Sequence, residues 1–153
     1  MTDMSPISAA TQKTALDKAH IWRSKFIDQA SKCEGDLRLI YAATHPDAKI
    51  PSFKAMAETL SATTSLNDAQ NKRLAKLCKA LLPLIDLRAN VAHSEIGIAT
   101  IDDEPMITLA NANGRLNQGK LYLALSDEER TASHKEMSTL ANQLNQFRAT
   151  MKK

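Results

Sequence analysis

The sequence predicts a mainly α fold, an up-and-down bundle of four to five helices with a small β-hairpin or three-stranded insert before the last helix. Over most of the 153 residues, apolar side chains recur at steps of three and four, as on one face of a helix. Only four glycines and six aromatic residues are present, too few for a sandwich, a barrel or a dinucleotide-binding fold. One region, about residues 97–125, instead has the pattern of short strands.

The first part of the chain predicts a leader and one long helix. Residues 1–10 offer little to bury and predict a flexible leader, and residues 11–153 predict a single domain. From Thr11 the apolar spacing predicts a helix of roughly 30 residues, which ends before His45-Pro46 because the residue before proline avoids helical geometry. The apolar stripe of this helix comprises Ala15, Ala19, Trp22, Phe26, Ala30, Cys33, Leu37 and Ile40.

Two further helices follow. Pro51-Ser52 starts a short second helix, and Asn67 or Asp68 can cap a third. Between residues 80 and 87 the third helix is apolar on nearly all sides. Such a segment is usually covered by two neighbours, either inside the bundle or across a subunit interface. Because one bundle offers too little cover, we expect a homodimer through residues 80–92.

The spacing then changes from helix to strand. Two short alternating runs flank Asp102-Asp103-Glu104-Pro105, which is typical of a hairpin. Ser126 and Glu129 have the spacing of a capping box and open the last helix. The predicted segments of the insert are strands at 98–101, 106–109 and 120–125, with a loop over 111–119.

Charge and composition limit the classes of function. A net charge of +3 permits an acidic partner such as RNA without demanding one. No apolar run approaches the roughly 20 residues of a membrane span, and no signal peptide is visible, so we expect a cytoplasmic protein without membrane contact. Cys33 and Cys78 are then most simply buried, reduced thiols. No residues have metal-site spacing, and we expect no metal and no cofactor.

The candidate site lies at the end of the third helix. Arg88 falls in the middle of its apolar stripe, where a guanidinium needs a partner or an open pocket. His93 follows five residues later, and the two converge only if the helix ends or unwinds near Ala92. Arg, Asn and His together suit metal-independent RNA cleavage: His93 as base on the 2′-hydroxyl, Arg88 as neutraliser of phosphoryl charge, and Asn90 as the residue that orients the phosphate or the imidazole.

This R-x(4)-H motif at the end of a long helix, followed by a β insert and a last helix, resembles the HEPN superfamily (higher eukaryotes and prokaryotes nucleotide-binding). The resemblance is to small stand-alone bacterial members with the motif R-N-x-x-x-H-G. It implies a helical bundle that dimerises along the motif helix and brings two Arg/His pairs into one cleft. Many members are metal-independent ribonucleases of toxin–antitoxin, defence or RNA-processing systems, and others only bind.

Carried over residue by residue, Arg88 matches the motif arginine and His93 the motif histidine. The polar residue that usually follows the arginine directly is replaced by Ala89, with Asn90 one place later. The tyrosine that one toxin branch has two places after the histidine is not matched, since Glu95 stands there.

Other residues and other interpretations remain. Ser94 and the ridge of Lys72, Lys76 and Lys79 are candidate binding residues, although such a ridge is more often a solvated face. Arg88 could instead form a structural ion pair with Asp86 or Asp36, and His93 could cap its helix.

Two alternatives stand beside the nuclease: a binding or assembly module, and a DNA-binding regulator, which would need an exposed recognition helix with clustered basic residues that only residues 72–79 approach. The chain could be a catalytically inactive binding or assembly module, such as an antitoxin, an adaptor or a nucleotide-sensing protein, and an antitoxin or nucleotidyltransferase could be its partner. A second spacing match, Arg38 with His45, is less favoured because Arg38 lies off the apolar stripe of its helix.

Overall fold

The computed structural model describes residues 9–110 and 122–151, and in this part of the chain it has four helices and one three-stranded sheet. The predicted fold class, a mainly α bundle with a small β insert before the last helix, is confirmed. The elements in order are α1 (Ala9–Thr44), α2 (Phe53–Leu60), α3 (Asp68–His93), β1 (Glu95–Ile101), β2 (Glu104–Ala110), β3 (Tyr122–Leu125) and α4 (Asp127–Thr150).

The first helix is longer than the sequence predicts. It begins at Ala9, two residues inside the segment expected to be a leader, and it ends at Thr44 directly before His45-Pro46. The expected leader otherwise lies outside the described residues. The predicted apolar stripe of α1 is buried from Ala19 to Ile40, whereas Ala15, near the N-terminal end, is only half-buried. The helical spacing of apolar residues thus extends toward the N-terminus beyond Ala19, the first residue of α1 that the core buries.

One hydrophobic core joins all four helices and the sheet. α1 packs most extensively against α4, and α3 packs against α2, α1 and α4. The largest fully buried side chains come from every helix and from β2, which faces the bundle with Ile107 and Leu109. Two residues on the predicted stripes, Cys33 and Cys78, are buried, and burial raises the pKa of each thiol to about 12. Both thiols therefore stay protonated at neutral pH.

The β insert is an antiparallel sheet in the order β1-β2-β3. β1 and β2 are longer than predicted and are joined by a two-residue turn, in which Asp102 and Asp103 have φ angles of 52° and 60°. Two positive φ angles are the mark of a type I′ hairpin turn, and Asp tolerates them better than most residues. Pro105 therefore lies in β2, beyond the part of that strand that pairs with β3. The loop predicted over 111–119 lies outside the described residues.

Two capping boxes fix where α3 and α4 begin. Asn67 accepts a hydrogen bond from the backbone N–H of Gln70, and the Gln70 side chain accepts one from Asn67. Ser126 and Glu129 make the same reciprocal pair at α4, as the sequence predicts. Each pair satisfies two backbone donors that a helix start would otherwise leave unpaired. Among the described residues, no helix is both long and apolar enough to cross a membrane.

Candidate functional site

The candidate site is built around the junction between α3 and β1. α3 continues unbroken through His93, and a single residue, Ser94, turns the chain into the extended conformation of β1. Gly97 lets the first strand pair closely with the second, because a Cβ atom there would lie 2.8 Å from Thr108 Oγ1. α3 thus ends at His93, and β1 begins at Glu95.

Arg88 lies on the buried face of α3. The residue is half-buried, and its Nε atom is fully buried with no hydrogen-bond partner. No carboxylate of the described residues lies within ion-pair distance of its guanidinium. An arginine in such a position is costly to keep unless another group meets it.

The two carboxylates that could have made Arg88 structural are engaged elsewhere. Asp86 accepts from Lys54 Nζ of α2 at 3.0 Å, and this contact raises the pKa of Lys54 from its ordinary value. Asp36 of α1 accepts from Arg148 Nε of α4 at 2.7 Å. Asp86 also points away from Arg88, because residues two apart on a helix lie on opposite sides.

His93 is exposed at the last position of α3, and Asn90 is half-buried one turn earlier. Because α3 does not unwind before His93, Arg88 and His93 lie about 140° apart around the helix and about 7.5 Å apart along it. The structure therefore does not bring the two onto one face of a single chain. A site that uses both must form between two chains or with a ligand that wraps the helix end.

A second arginine reaches the same helix end from α1. Arg23 Nη2 donates to the carbonyl oxygen of Ala92 at 3.3 Å. The carbonyl groups of a last helical turn lack partners within the helix and carry partial negative charge, so a guanidinium there both satisfies and neutralises them. Sequence analysis missed Arg23, because nothing in the spacing of α1 indicates which part of α3 it packs against.

Ser94 is buried, and its hydroxyl oxygen has no hydrogen-bond partner. An unpaired buried hydroxyl costs about 1–3 kcal/mol, and native structures contain few of them. The described residues contain two such unpaired side-chain atoms, Arg88 Nε and Ser94 Oγ, and both belong to the last turns of α3 and the residue that follows it. This end of α3 is thus less well satisfied than the rest of the described core.

The three predicted lysines of α3, Lys72, Lys76 and Lys79, are exposed. None forms an ion pair with a described carboxylate. Arg73 lies beside this ridge, and its guanidinium carbon is 5.9 Å from the centre of the Phe147 ring of α4.

An apolar cavity lies elsewhere in the described residues. It has about 450 Å³ between the start of α1, the hairpin and the start of α4, and it is lined mainly by apolar side chains, including Ile98, Met106 and Ile107. None of the predicted site residues lines it. In the described part of the chain, no group of three or more His, Cys, Asp or Glu side chains could hold a metal ion.

No family model, curated protein or solved structure matches this chain.

Proposed function

We propose that the chain is a metal-independent endoribonuclease of the HEPN type that acts as a homodimer in the cytoplasm, in a toxin, defence or RNA-processing system. The observation that carries this proposal is that the guanidinium of Arg88 forms no ion pair with a described carboxylate. It lies on α3 without a carboxylate partner among the described residues, while Asp86 and Asp36 are held by Lys54 and Arg148. Its charge is therefore available to a phosphate.

The chemistry assigns one role to each residue. His93, exposed at the helix end, removes the proton from a ribose 2′-hydroxyl, since histidine can hold or release a proton near neutral pH. The 2′ oxygen forms a bond to phosphorus, the bond from phosphorus to the 5′ oxygen breaks, and that oxygen takes a proton from water. Arg88 neutralises the charge that develops on the phosphoryl oxygens, and Asn90 orients the phosphate. The product ends in a 2′,3′-cyclic phosphate.

A homodimer would supply what one chain lacks. Arg88 and His93 lie about 140° apart on α3, so the arginine of one protomer and the histidine of the other would have to share a cleft. The partly exposed leucines of residues 80–92 support this arrangement: Leu84 is buried within one chain, but Leu82 and Leu87 are only partly covered. An antitoxin or a nucleotidyltransferase would be a further partner.

A second candidate function is a catalytically inactive binding or assembly module. The same angular separation of Arg88 and His93 favours it, because a helix that continues through His93 keeps the pair apart in one chain. In that case Arg88 would bind a phosphate or a partner without any reaction.

An RNA cleavage assay separates the two functions. Wild type, Arg88→Ala and His93→Ala are incubated with a broad panel of RNAs in EDTA, and the product ends are identified. The nuclease requires cleavage by wild type, a cyclic phosphate end and loss of cleavage in both variants. Equal cleavage by wild type and His93→Ala, or no cleavage of any RNA, would reject it and favour the binding module.

The second spacing match provides the control. Arg38 is exposed and, among the described residues, pairs with Glu34 of the same helix at 3.6 Å, so Arg38→Ala should leave cleavage unchanged. His45 is a poorer control, since its ring stacks on Tyr41 at 4.5 Å and its Nδ1 lies 2.8 Å from Thr44 Oγ1. A variant at His45 would disturb the end of α1 as well.

A further inference from the structure

The exposed face of α3 carries a row of cations in the half of the helix that precedes the proposed site. Lys72, Lys76 and Lys79 lie within about 60° of one another around the helix, and all three are exposed. The same line continues through the exposed Pro83 to Asn90, while Leu74, Leu77 and Leu81 bury the opposite face. We call Lys72, Lys76 and Lys79 the lysine row.

His93 belongs to this face, and Arg88 does not. His93 lies about 60° from Lys72 around the helix axis, whereas Arg88 lies about 160° away. From Lys72 to His93 the line runs about 31 Å along the helix. An extended chain bound to the lysine row approaches His93 from the N-terminal side of α3 and has about 21 Å to cross from Lys79, along the segment proposed as the dimer interface.

The positive charge of the line lies in the lysine row, and no unpaired acid of α3 opposes it between Lys72 and Asn90. None of the three lysines forms an ion pair with a described carboxylate. The one acid between the row and Asn90 is Asp86, and Lys54 of α2 covers it at 3.0 Å. Asp68 lies one turn before the row and Glu95 lies two residues after His93, and both are exposed. Glu58 also acts on Lys54 from within α2.

We propose that the lysine row is a track for the phosphates of single-stranded RNA, which it holds on the exposed face of α3 where the strand approaches the cleft between the two protomers. The inference rests on the proposed function and adds how the substrate is held. Phosphates neutralised by lysines release their counterions, which supplies affinity without sequence preference. A row one side chain wide matches the phosphates of one strand, as in other proteins that follow a single-strand backbone with cations.

The test measures binding apart from cleavage. The full chain carrying His93→Ala is titrated with a fluorescent single-stranded polyuridine of about 15 nucleotides between 50 and 200 mM salt. The row variant adds Lys72→Gln, Lys76→Gln and Lys79→Gln. The matched control adds Lys13→Gln, Lys18→Gln and Lys25→Gln, three exposed lysines of α1, so both variants lose the same charge.

We expect the row variant to bind at least about tenfold more weakly and its salt slope to fall by about 2, since each phosphate contact on a single strand contributes about 0.7. The control should bind within about twofold of the parent, and both should keep its melting temperature because the substituted lysines are exposed. Equal weakening in both variants, no binding by the parent, or equal competition by duplex DNA of the same length would overturn the track.

Its failure is distinguishable from failure of the nuclease. RNA binding that depends on the row, in a protein that cleaves no RNA, would keep the track and reject the enzyme. Cleavage by wild type with a KM that the three row substitutions leave unchanged would keep the enzyme and reject the track.

Discussion

Arg88 and Arg130 stand on either side of the β insert, and their surroundings differ. Arg130 is 7% exposed, and its guanidinium donates to the Leu125 carbonyl at 3.0 Å and to Asp127 Oδ1 at 3.2 Å. Its own backbone carbonyl accepts from Trp22 Nε1 at 2.8 Å. Arg88 is less buried, yet its Nε has no partner at all.

The difference shows how a structural arginine can be told from an available one. The partners of Arg130 lie three and five residues before it, so the start of α4 satisfies the guanidinium locally. Arg88 lies within a continuous helix whose nearest acid, Asp86, points to the other side and is paired with Lys54. By burial alone, Arg130 would be the more unusual arginine. By hydrogen bonding it is Arg88, because its Nε is buried without a partner among the described residues.

The largest expected effect tests this distinction through activity. Arg88→Ala should lower kcat/KM for RNA by about a hundredfold or more, because it removes a donor that stabilises transition-state charge. Arg88→Lys should also fail, since a point charge cannot replace a two-pronged contact with phosphate. Arg130→Ala, measured per folded molecule, should keep the wild-type rate. Unfolding of Arg88→Ala would show that this arginine is structural after all.

The next effect concerns Leu82 and Leu87, the partly exposed leucines of the proposed interface. Leu82→Lys with Leu87→Lys should convert a dimer to a monomer and abolish cleavage, because charged side chains would replace partly exposed apolar ones in the proposed interface. Light scattering at tens of micromolar measures the mass. Leu39→Lys is the control, since Leu39 is 54% exposed on α1, outside residues 80–92. A wild-type monomer at that concentration would contradict the prediction.

On the other side of the insert the expected change is in stability. Arg130→Ala should reduce the free energy of unfolding by about 2–3 kcal/mol, because it leaves the buried Leu125 carbonyl without its charged donor. Urea denaturation measures it, with Arg38→Ala as an exposed control that should cost less than about 0.5 kcal/mol. If Arg130→Ala lowered the free energy of unfolding no more than Arg38→Ala does, the hydrogen bonds of Arg130 would contribute little to stability, which would contradict the contrast with Arg88.

The smallest effect lies in the sheet between the two arginines. Gly97→Ala should destabilise the fold by about 1 kcal/mol, since the new Cβ would lie 2.8 Å from Thr108 Oγ1. In a double-mutant cycle, Thr108→Ala should recover part of that loss because it removes the obstructing oxygen. Strictly additive losses would place the strain elsewhere in the strand.

Much of the fold was predictable because its signals are local. The capping box of Ser126 and Glu129 marks the start of α4 within four residues of sequence, and His45-Pro46 marks the end of α1. The hairpin was placed correctly but its turn was assigned too many residues. Asp102 and Asp103 alone make the turn, and Glu104 and Pro105 continue the strand.

The candidate site was predictable only in part. The position of Arg88 on the buried face of α3 follows from helical spacing, and so does the exposure of the lysine row. Helical spacing alone did not decide whether Arg88 forms an ion pair with Asp86 or Asp36. It also gave no sign of Arg23, whose contact with Ala92 depends on how α1 crosses the end of α3.

The sequence by itself determined the order of the helices and strands and which face each helix buries, because spacing, caps and turn residues act within one segment. Only the tertiary structure decided which charges meet. Lys54 reaches Asp86 from another helix, Arg148 reaches Asp36 across the bundle, and no carboxylate of the described residues pairs with Arg88. An ion pair depends on distances of a few ångströms between segments far apart in the chain, and such distances exist only once the helices have packed.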